Sequence, residues 1–109
     1  MHLDVEGAPP ERISDATSLA AYRIVQESLT NVRRHASGAE ADVSLRFGRS
    51  AVSLTVDNHG GAKARPAGGG GVGIAGMRER VLALGGRISA GPHDAGFRVQ
   101  ADLPYEPAS

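Results

Sequence analysis

Hydrophobic residues in this 109-residue chain change their spacing along the sequence, from a helical period to a period of two, and the change occurs twice. Five apolar residues spaced three or four positions apart predict a first helix: Leu19, Tyr22, Val25, Leu29 and Val32. Asp15, Thr17 and Ser18 offer side-chain oxygens for its N-cap, and Ser37-Gly38 would end it. A second helix is predicted over residues 74–84, where Gly85-Gly86 stops the pattern. Its apolar face would carry Ile74, Met77, Val81 and Leu84.

Strict alternation of apolar and polar residues predicts the strands. Residues 42–47 and 52–57 alternate in this way, and 48–50 can join them as an antiparallel hairpin. Shorter strands are predicted at 2–5, 87–90 and 96–103, the last with Phe97, Val99, Ala101 and Leu103 facing one way. Residues 59–72 hold six glycines and a proline, and so cannot form a regular element.

The predicted order is strand, helix, hairpin, flexible loop, helix, hairpin. Because pairs of antiparallel strands alternate with the helices, we expect an α+β fold, a two-layer α/β sandwich with a mixed, mostly antiparallel sheet packed on helices. The length suits a single domain over 1–109, with a core of about 2–104. Residues 104–109 would be the end of that domain.

Composition excludes several functions. Twelve basic residues balance twelve acidic ones, so no broad electrostatic footprint for nucleic acid is expected. The absence of cysteine excludes disulfides, a thiolate nucleophile and a cysteine zinc site. No apolar run approaches the roughly 20 residues of a membrane span, and no signal peptide is visible, so no direct membrane contact is expected.

One strip of the first predicted helix carries polar groups suited to a magnesium nucleotide. Glu27, Asn31, Arg34 and His35 are spaced three or four apart, or adjacent, along one side. The Asn31 amide oxygen suits Mg²⁺, and Glu27 suits a metal-bound water or a catalytic base. Arg34 and His35 could meet phosphate oxygens. An ordinary solvated helix face explains the same residues about equally well.

Two glycine-rich stretches are further candidates. Asp57 or Asn58, at the end of a strand and before Gly60, could accept a hydrogen bond from a base amino group, although a plain turn is the simpler interpretation. Gly71 and Gly73, just before Ile74, would expose backbone N–H groups to phosphate at a helix start. Composition alone would favour a flexible linker for that stretch.

The order of these motifs resembles the ATP-binding catalytic domain of sensor histidine kinases. Residues 21–36 (AYRIVQESLTNVRRHA) are similar to the N box of kinases of the nitrate-sensor and thermosensor type. Residues 71–81 (GVGIAGMRERV), followed by Leu-Gly-Gly, resemble the G2 box and the helix after it. Residues 96–104 are similar to the last strand of that family. The resemblance covers nearly the whole chain.

The resemblance implies a Bergerat ATP-binding fold, with ATP and Mg²⁺ as cofactors. Asn31 would be the Mg²⁺ ligand, with Glu27 beside the metal and the γ-phosphate. Arg34 would contact phosphate with His35 next to it, Gly71 and Gly73 would pack against the phosphates before Ile74, and 62–70 would be a short lid.

The adenine-binding position departs from the family pattern, which is Asp-x-Gly-x-Gly. Alignment on Gly60 places Asn58 where the family has its aspartate. The period of two puts Asn58 on the side of Val56 and Leu54, so Asn58 is the first choice for the base contact and Asp57 the second. We expect weakened nucleotide affinity from this change.

The resemblance also implies partners and a location. The γ-phosphate would pass to a histidine on the kinase's own dimerisation domain, and the full-length kinase would serve a response regulator. We expect a cytoplasmic domain of a membrane-anchored kinase whose sensor and phosphoacceptor parts lie outside this chain, so that the fragment alone would not autophosphorylate. Two alternatives stay open: an anti-sigma-type serine kinase of the same fold, and a degenerate nucleotide-binding or interaction module.

Overall fold

The computed structural model describes residues 2–35, 40–59, 71–93 and 96–106; the side chains of 33–35, 71–75 and 93 lie outside this description. Five strands and two helices follow one another along the chain: β1 (His2–Glu6), α1 (Asp15–His35), β2 (Glu40–Phe47), β3 (Ala51–His59), α2 (Gly71–Ala83), β4 (Arg87–His93) and β5 (Gly96–Pro104). This order confirms the predicted succession of strand, helix, hairpin, helix and hairpin. The predicted end of α1 at Ser37-Gly38 and the predicted lid fall outside the described residues.

The strands form a single mixed sheet in the order β1-β2-β3-β5-β4. β1 runs parallel to β2, and the other three pairs are antiparallel. Both predicted hairpins are present, and Gly48 donates its N–H to the Ala51 carbonyl at 2.9 Å in the turn between β2 and β3. The predicted α+β sandwich with a mostly antiparallel sheet is therefore confirmed.

One face of the sheet carries the core and the other is polar. The register aligns Val43, Val56 and Val99 across three neighbouring strands, and all three are buried against the helices. Asp42, Asp57 and Arg98 occupy the next row, so their side chains lie on the opposite face. At the same end of β3, one face of the sheet is consequently apolar and the other carries charged side chains.

The N-cap residue of helix α1 is Ser14, one residue before the first cap that the sequence predicted. The Ser14 hydroxyl oxygen accepts the Thr17 N–H at 3.0 Å, which is the N-cap bond. Thr17 is fully buried, and its own hydroxyl donates to the Pro104 carbonyl at 2.8 Å. The expected caps Asp15, Thr17 and Ser18 are thus wrong, because all three lie within the helix. Thr17 is in addition held inside the fold by its bond to β5.

The face of α1 that packs on the sheet agrees with the expected one only in part. Val32 is buried, and Val25 and Leu29 pack against the core. Leu19 and Tyr22 are 46% and 62% exposed, whereas Ala20 and Ile24 are buried. The buried stripe runs through residues with small or polar side chains as well as apolar ones: Thr17, Ala20, Ile24, Ser28 and Val32. Small residues carry little hydrophobic signal in a sequence, but they let a helix lie close to a sheet.

Helix α2 matches its predicted apolar face and its predicted end. Met77, Val81 and Leu84 are buried. Gly85 adopts a φ of 83°, and its N–H donates to the Leu82 carbonyl while Gly86 donates to Val81. These two bonds form a Schellman motif, which uses the left-handed conformation that glycine adopts without strain. Ile74 belongs to the helix, but its side chain lies outside the description.

Candidate functional site

Asn31 has a buried amide oxygen without a protein partner. Its Oδ1 atom is almost inaccessible to solvent and accepts no hydrogen bond within the described part of the chain. Buried polar atoms are nearly always paired, so an orphaned acceptor needs an explanation, such as a water or a bound cation. An amide oxygen is a ligand that Mg²⁺ accepts. Asn31 therefore fits a cation site on an observation independent of its sequence motif.

Glu27 lies one turn before Asn31 on α1 and lines a groove between α1 and α2. The groove has a volume of about 280 Å³. Its polar wall consists of Arg23, Gln26 and Glu27 from α1 and Arg80 from α2, above a floor that includes Ile24 and Met77. Glu27 thus borders the space between the two helices that carry the predicted metal and phosphate motifs.

The end of β3 separates Asn58 from Asp57. Asn58 continues the row of Leu54 and Val56, both of which are buried on the helix-covered face. Asp57 lies on the polar face, where its Oδ1 and Oδ2 accept from Nε and Nη2 of Arg98 at 2.6 and 2.9 Å. The structure therefore does not bring Asp57, the second choice for the base contact, to the same side as Asn31. The period of two had indicated Asn58, and the register agrees.

Asn58 is held by the neighbouring strand. Its Oδ1 atom accepts the backbone N–H of Phe97, on β5, at 2.8 Å. Gly96 lies so close that a β-carbon at this position would overlap the Asn58 carbonyl. The side chain is thus fixed at the end of β3, immediately before the segment of the predicted lid.

His59 contacts the polar face at the same strand end. Its Nε2 atom lies 2.7 Å from Oδ2 of Asp42, a residue of β2, and both side chains are about half exposed. Together with Asp57–Arg98, this contact fixes β3 from the side that the helices do not cover. It removes His59 from the face that carries Asn58.

The remaining predicted site residues are located only in part. Gly71 and Gly73 lie in the first turn of α2, where backbone N–H groups have no partners within the helix. Arg34 and His35 belong to the last turn of α1, with side chains outside the description. Gly60 lies outside the described residues altogether.

Sequence reasoning missed three groups that shape this region. Ser28 is 3% exposed, and its hydroxyl has no hydrogen-bond partner in the described ranges. Arg98 and the Phe97 N–H determine where the polar atoms of Asp57 and Asn58 point. Only the pairing of β3 with β5 reveals the last two, since neither is near residue 58 in the sequence.

The described residues lack two other kinds of feature. Across residues 2–35, 40–59, 71–93 and 96–106, no three His, Asp or Glu side chains are grouped so as to hold a metal ion. Neither α1 nor α2, as far as they are described, is long and apolar enough to cross a membrane.

Comparison with known proteins identifies a family over most of the chain. The family model described as "Histidine kinase-, DNA gyrase B-, and HSP90-like ATPase" matches residues 16–107. The sensor histidine kinase YxjM of Bacillus subtilis (strain 168) is 30% identical over 94% of this chain and 25% of its own length. The sensor histidine kinase LnrJ of the same organism is 35% identical over 74% of this chain and 20% of its own length. The chain thus spans a quarter or less of these two relatives.

Solved structures share the fold at lower identity. The histidine kinase domain of the blue-light activated kinase EL346 from Erythrobacter litoralis superimposes with a TM-score of 0.68 at 24% identity, over 95% of this chain and 51% of that one. The histidine kinase AdeS of Acinetobacter baumannii gives a TM-score of 0.71 at 15% identity, over 95% of this chain and 53% of its own. At these identities the likeness establishes the fold alone.

Proposed function

The chain belongs to the family of histidine kinase-, DNA gyrase B- and HSP90-like ATPases, and we propose that it is the ATP-binding catalytic domain of a sensor histidine kinase. Membership of an ATPase family implies use of a nucleotide. The further proposal is that the γ-phosphate passes to a histidine on a separate dimerisation domain of the same kinase. The observation that supports this proposal is the buried amide oxygen of Asn31, which accepts no hydrogen bond within the described residues and is of a type that suits a bound cation.

Mg²⁺ would be held by Asn31 Oδ1, with Glu27 one turn away on the same helix. When bound, the ion would neutralise phosphate charge. Because Asn31 lies within a helix, its amide oxygen would need to move little when the ion binds. Glu27 lines the groove between the two helices, and we propose that its carboxylate orients a water or accepts a proton.

The phosphates would meet the first turn of α2. Gly71 and Gly73 lie there, where the backbone N–H groups of a helix have no partner within the helix and the dipole favours negative charge. We propose that Arg34, with His35 beside it, adds a further cationic contact and that Gly60 and Ile74 border the nucleotide. Positioning and charge neutralisation account for most catalysis of phosphoryl transfer, and these residues supply both.

The partners and location are part of the same proposal. The phosphoacceptor would be the dimerisation domain of the parent kinase, and a response regulator would receive the phosphoryl group from it. The domain would be cytoplasmic. The names of the relatives, which are sensor histidine kinases, support this assignment.

Thermal unfolding with Mg-ATP tests the nucleotide site. A ligand at about 100 times its dissociation constant stabilises a protein by about 2.7 kcal/mol, which corresponds to a shift on the order of 10 °C for a domain of this size. We expect this shift for the unmodified chain and its loss in Asn31→Ala. Thr30→Ala is the matched control, because Thr30 bonds only to its own helix at Gln26 and should keep the shift.

An equal Mg-dependent shift in Asn31→Ala would remove Asn31 from the site. No shift in the unmodified chain at millimolar Mg-ATP would favour the degenerate-module alternative. Phosphotransfer separates the remaining alternatives: a phosphoryl group on a histidine is acid-labile, whereas the product of an anti-sigma-type serine kinase is acid-stable.

A further inference from the structure

Asn58 lies in a row of the sheet whose other described side chains are apolar. Strand pairing aligns Ala41, Asn58, Phe97 and Pro92 across β2, β3, β5 and β4. This row extends the helix-covered face by one step beyond Val56, because alternate residues of a strand share a face. Phe97 is half-buried and packs against the core. A single hydrogen-bonding group beside an apolar wall suits a flat, mostly apolar ring such as a purine.

A backbone donor decides which end of the Asn58 amide is presented. The Phe97 N–H can only donate, so the atom 2.8 Å from it is the amide oxygen. An amide oxygen has two lone pairs and can accept a second hydrogen bond. Within the described residues, no other donor bonds to it. Asn58 therefore keeps an acceptor at the position where the family pattern has an aspartate.

Gly96 is the residue that lets β5 approach this amide. A β-carbon at Gly96 would overlap the Asn58 carbonyl and would lie 2.7 Å from the amide oxygen. The φ of Gly96 lies outside the left-handed region, so the close contact and not the backbone conformation calls for glycine here. The bond between Phe97 and Asn58 thus depends on the absence of a side chain at the preceding residue.

We propose that Gly96 is a positioning residue for nucleobase recognition: it lets the Phe97 N–H hold the Asn58 amide so that the second lone pair of the oxygen accepts from the 6-amino group of ATP. This inference rests on the proposed nucleotide-binding function. Without the Phe97 bond, the amide can rotate and present its NH₂ group, which would place two donors together. Asn58 replaces an aspartate at this position because the neighbouring strand orients its amide.

The test compares ATP with purine riboside triphosphate, which lacks only the 6-amino group, by calorimetric titration in the presence of Mg²⁺. The unmodified chain should bind ATP about tenfold more tightly, as expected for one hydrogen bond. Gly96→Ala should lose most of this preference. A general loss of stability would instead weaken both nucleotides equally and leave the ratio of their dissociation constants unchanged.

Gly91→Ala is the matched control for this substitution. Gly91 belongs to β4 of the same hairpin, and an added β-carbon there meets nothing within 4 Å. The Gly91→Ala variant should therefore keep the preference for ATP.

Variants of Asn58 guard against misfolding of Gly96→Ala. Asn58→Ala leaves Gly96 in place but removes the amide, so it should lose the preference for ATP. In NMR, the Phe97 amide hydrogen should then exchange with solvent faster, because it has lost its acceptor. Asn58→Asp offers an oxygen in either orientation of its carboxylate, so it should keep both the preference and the slow exchange.

The outcomes separate this inference from the function on which it rests. An undiminished ATP preference in Gly96→Ala, or an equal loss in Gly91→Ala, would refute the role of Gly96. Equal affinity for the two triphosphates in the unmodified chain, or a preference retained in Asn58→Ala, would overturn the acceptor role of Asn58 while leaving nucleotide binding intact. Absence of binding of either triphosphate by the unmodified chain would instead refute the proposed function.

Discussion

Ser28 and Asn31 lie close together on α1 and share an unusual feature that we interpret differently for each residue. Both have buried oxygens without partners in the described chain. The Asn31 oxygen belongs to a group that readily ligates a hard cation, whereas the Ser28 hydroxyl lies within the stripe that packs on the sheet. We propose that the Asn31 oxygen binds a cation, and we interpret the Ser28 hydroxyl as an unsatisfied group buried by the packing of α1 on the sheet.

Ser28→Ala should therefore stabilise the protein. Removal of an unsatisfied buried hydroxyl, together with the higher helix propensity of alanine, should raise the free energy of unfolding by about 1 kcal/mol. Urea unfolding measures this as a higher midpoint at unchanged slope, and the Mg-ATP shift should be retained. A lower midpoint would mean that the hydroxyl has a partner, and a lost shift would place Ser28 in the site.

At the scale of elements, both helices have an end that is determined by one residue. α1 begins with the Ser14 cap, and α2 ends with Gly85 in the left-handed conformation. These ends matter for the proposed site, because α1 carries Asn31 and α2 carries the glycines that would meet phosphate. Each end offers a pair of matched substitutions.

For α1, Ser14→Ala should cost about 1 kcal/mol of stability, because the Thr17 N–H loses its cap. Ser18→Ala is the control: this serine is exposed, lies inside the helix and should change stability by less than about 0.5 kcal/mol. Chemical denaturation of both variants measures the difference. Equal effects would contradict the assignment of Ser14 as the cap.

For α2, two glycine-to-alanine changes should have opposite signs. Gly85→Ala should destabilise by about 1 kcal/mol or more, because its φ of 83° is unfavourable for a residue with a β-carbon. Gly76→Ala should stabilise by up to about 1 kcal/mol, since it lies within the helix and an added β-carbon meets nothing within 4 Å. Thermal unfolding distinguishes them, and a stabilising Gly85→Ala would rule out the Schellman end.

At the scale of the whole molecule, Tyr105 connects parts that are far apart in the sequence. It is 6% exposed, and its hydroxyl donates to the Gly48 carbonyl at 2.7 Å. Its backbone N–H donates to Ser50, and its carbonyl accepts from Ser14 at the start of α1. The residue that follows β5 thus joins the β2–β3 turn to the first helix, although we had expected residues 104–109 only to end the domain.

Shortening the chain tests whether these contacts of Tyr105 stabilise the fold. A chain that stops at Pro104 should lose about 3 kcal/mol or more, the usual loss on deleting a large buried aromatic side chain. A chain that stops at Glu106 keeps Tyr105 and should match the full chain. Tyr105→Phe should lose about 1 kcal/mol through the single hydroxyl bond. Urea midpoints of the three variants measure these losses of stability. Equal stability of the two shortened chains would contradict the stabilising role of Tyr105.

The sequence by itself determined the order of elements, the two hairpins and the described part of the apolar face of α2. Those properties follow from local periodicity and from glycine at a helix end. The face of α1 was predictable only in part. Val25, Leu29 and Val32 are buried or pack against the core as expected, but Ala20 and Ser28 pack where Leu19 and Tyr22 do not.

Tertiary structure alone decided how the polar groups at the end of β3 are held. The alternation along β3 put Asp57 and Asn58 on opposite faces, but only the neighbouring strand β5 occupies the Asp57 carboxylate with Arg98 and the Asn58 oxygen with the Phe97 N–H. A side chain's type states which hydrogen bonds it can make. Which of them are left for a ligand depends on partners about 40 residues away in the sequence.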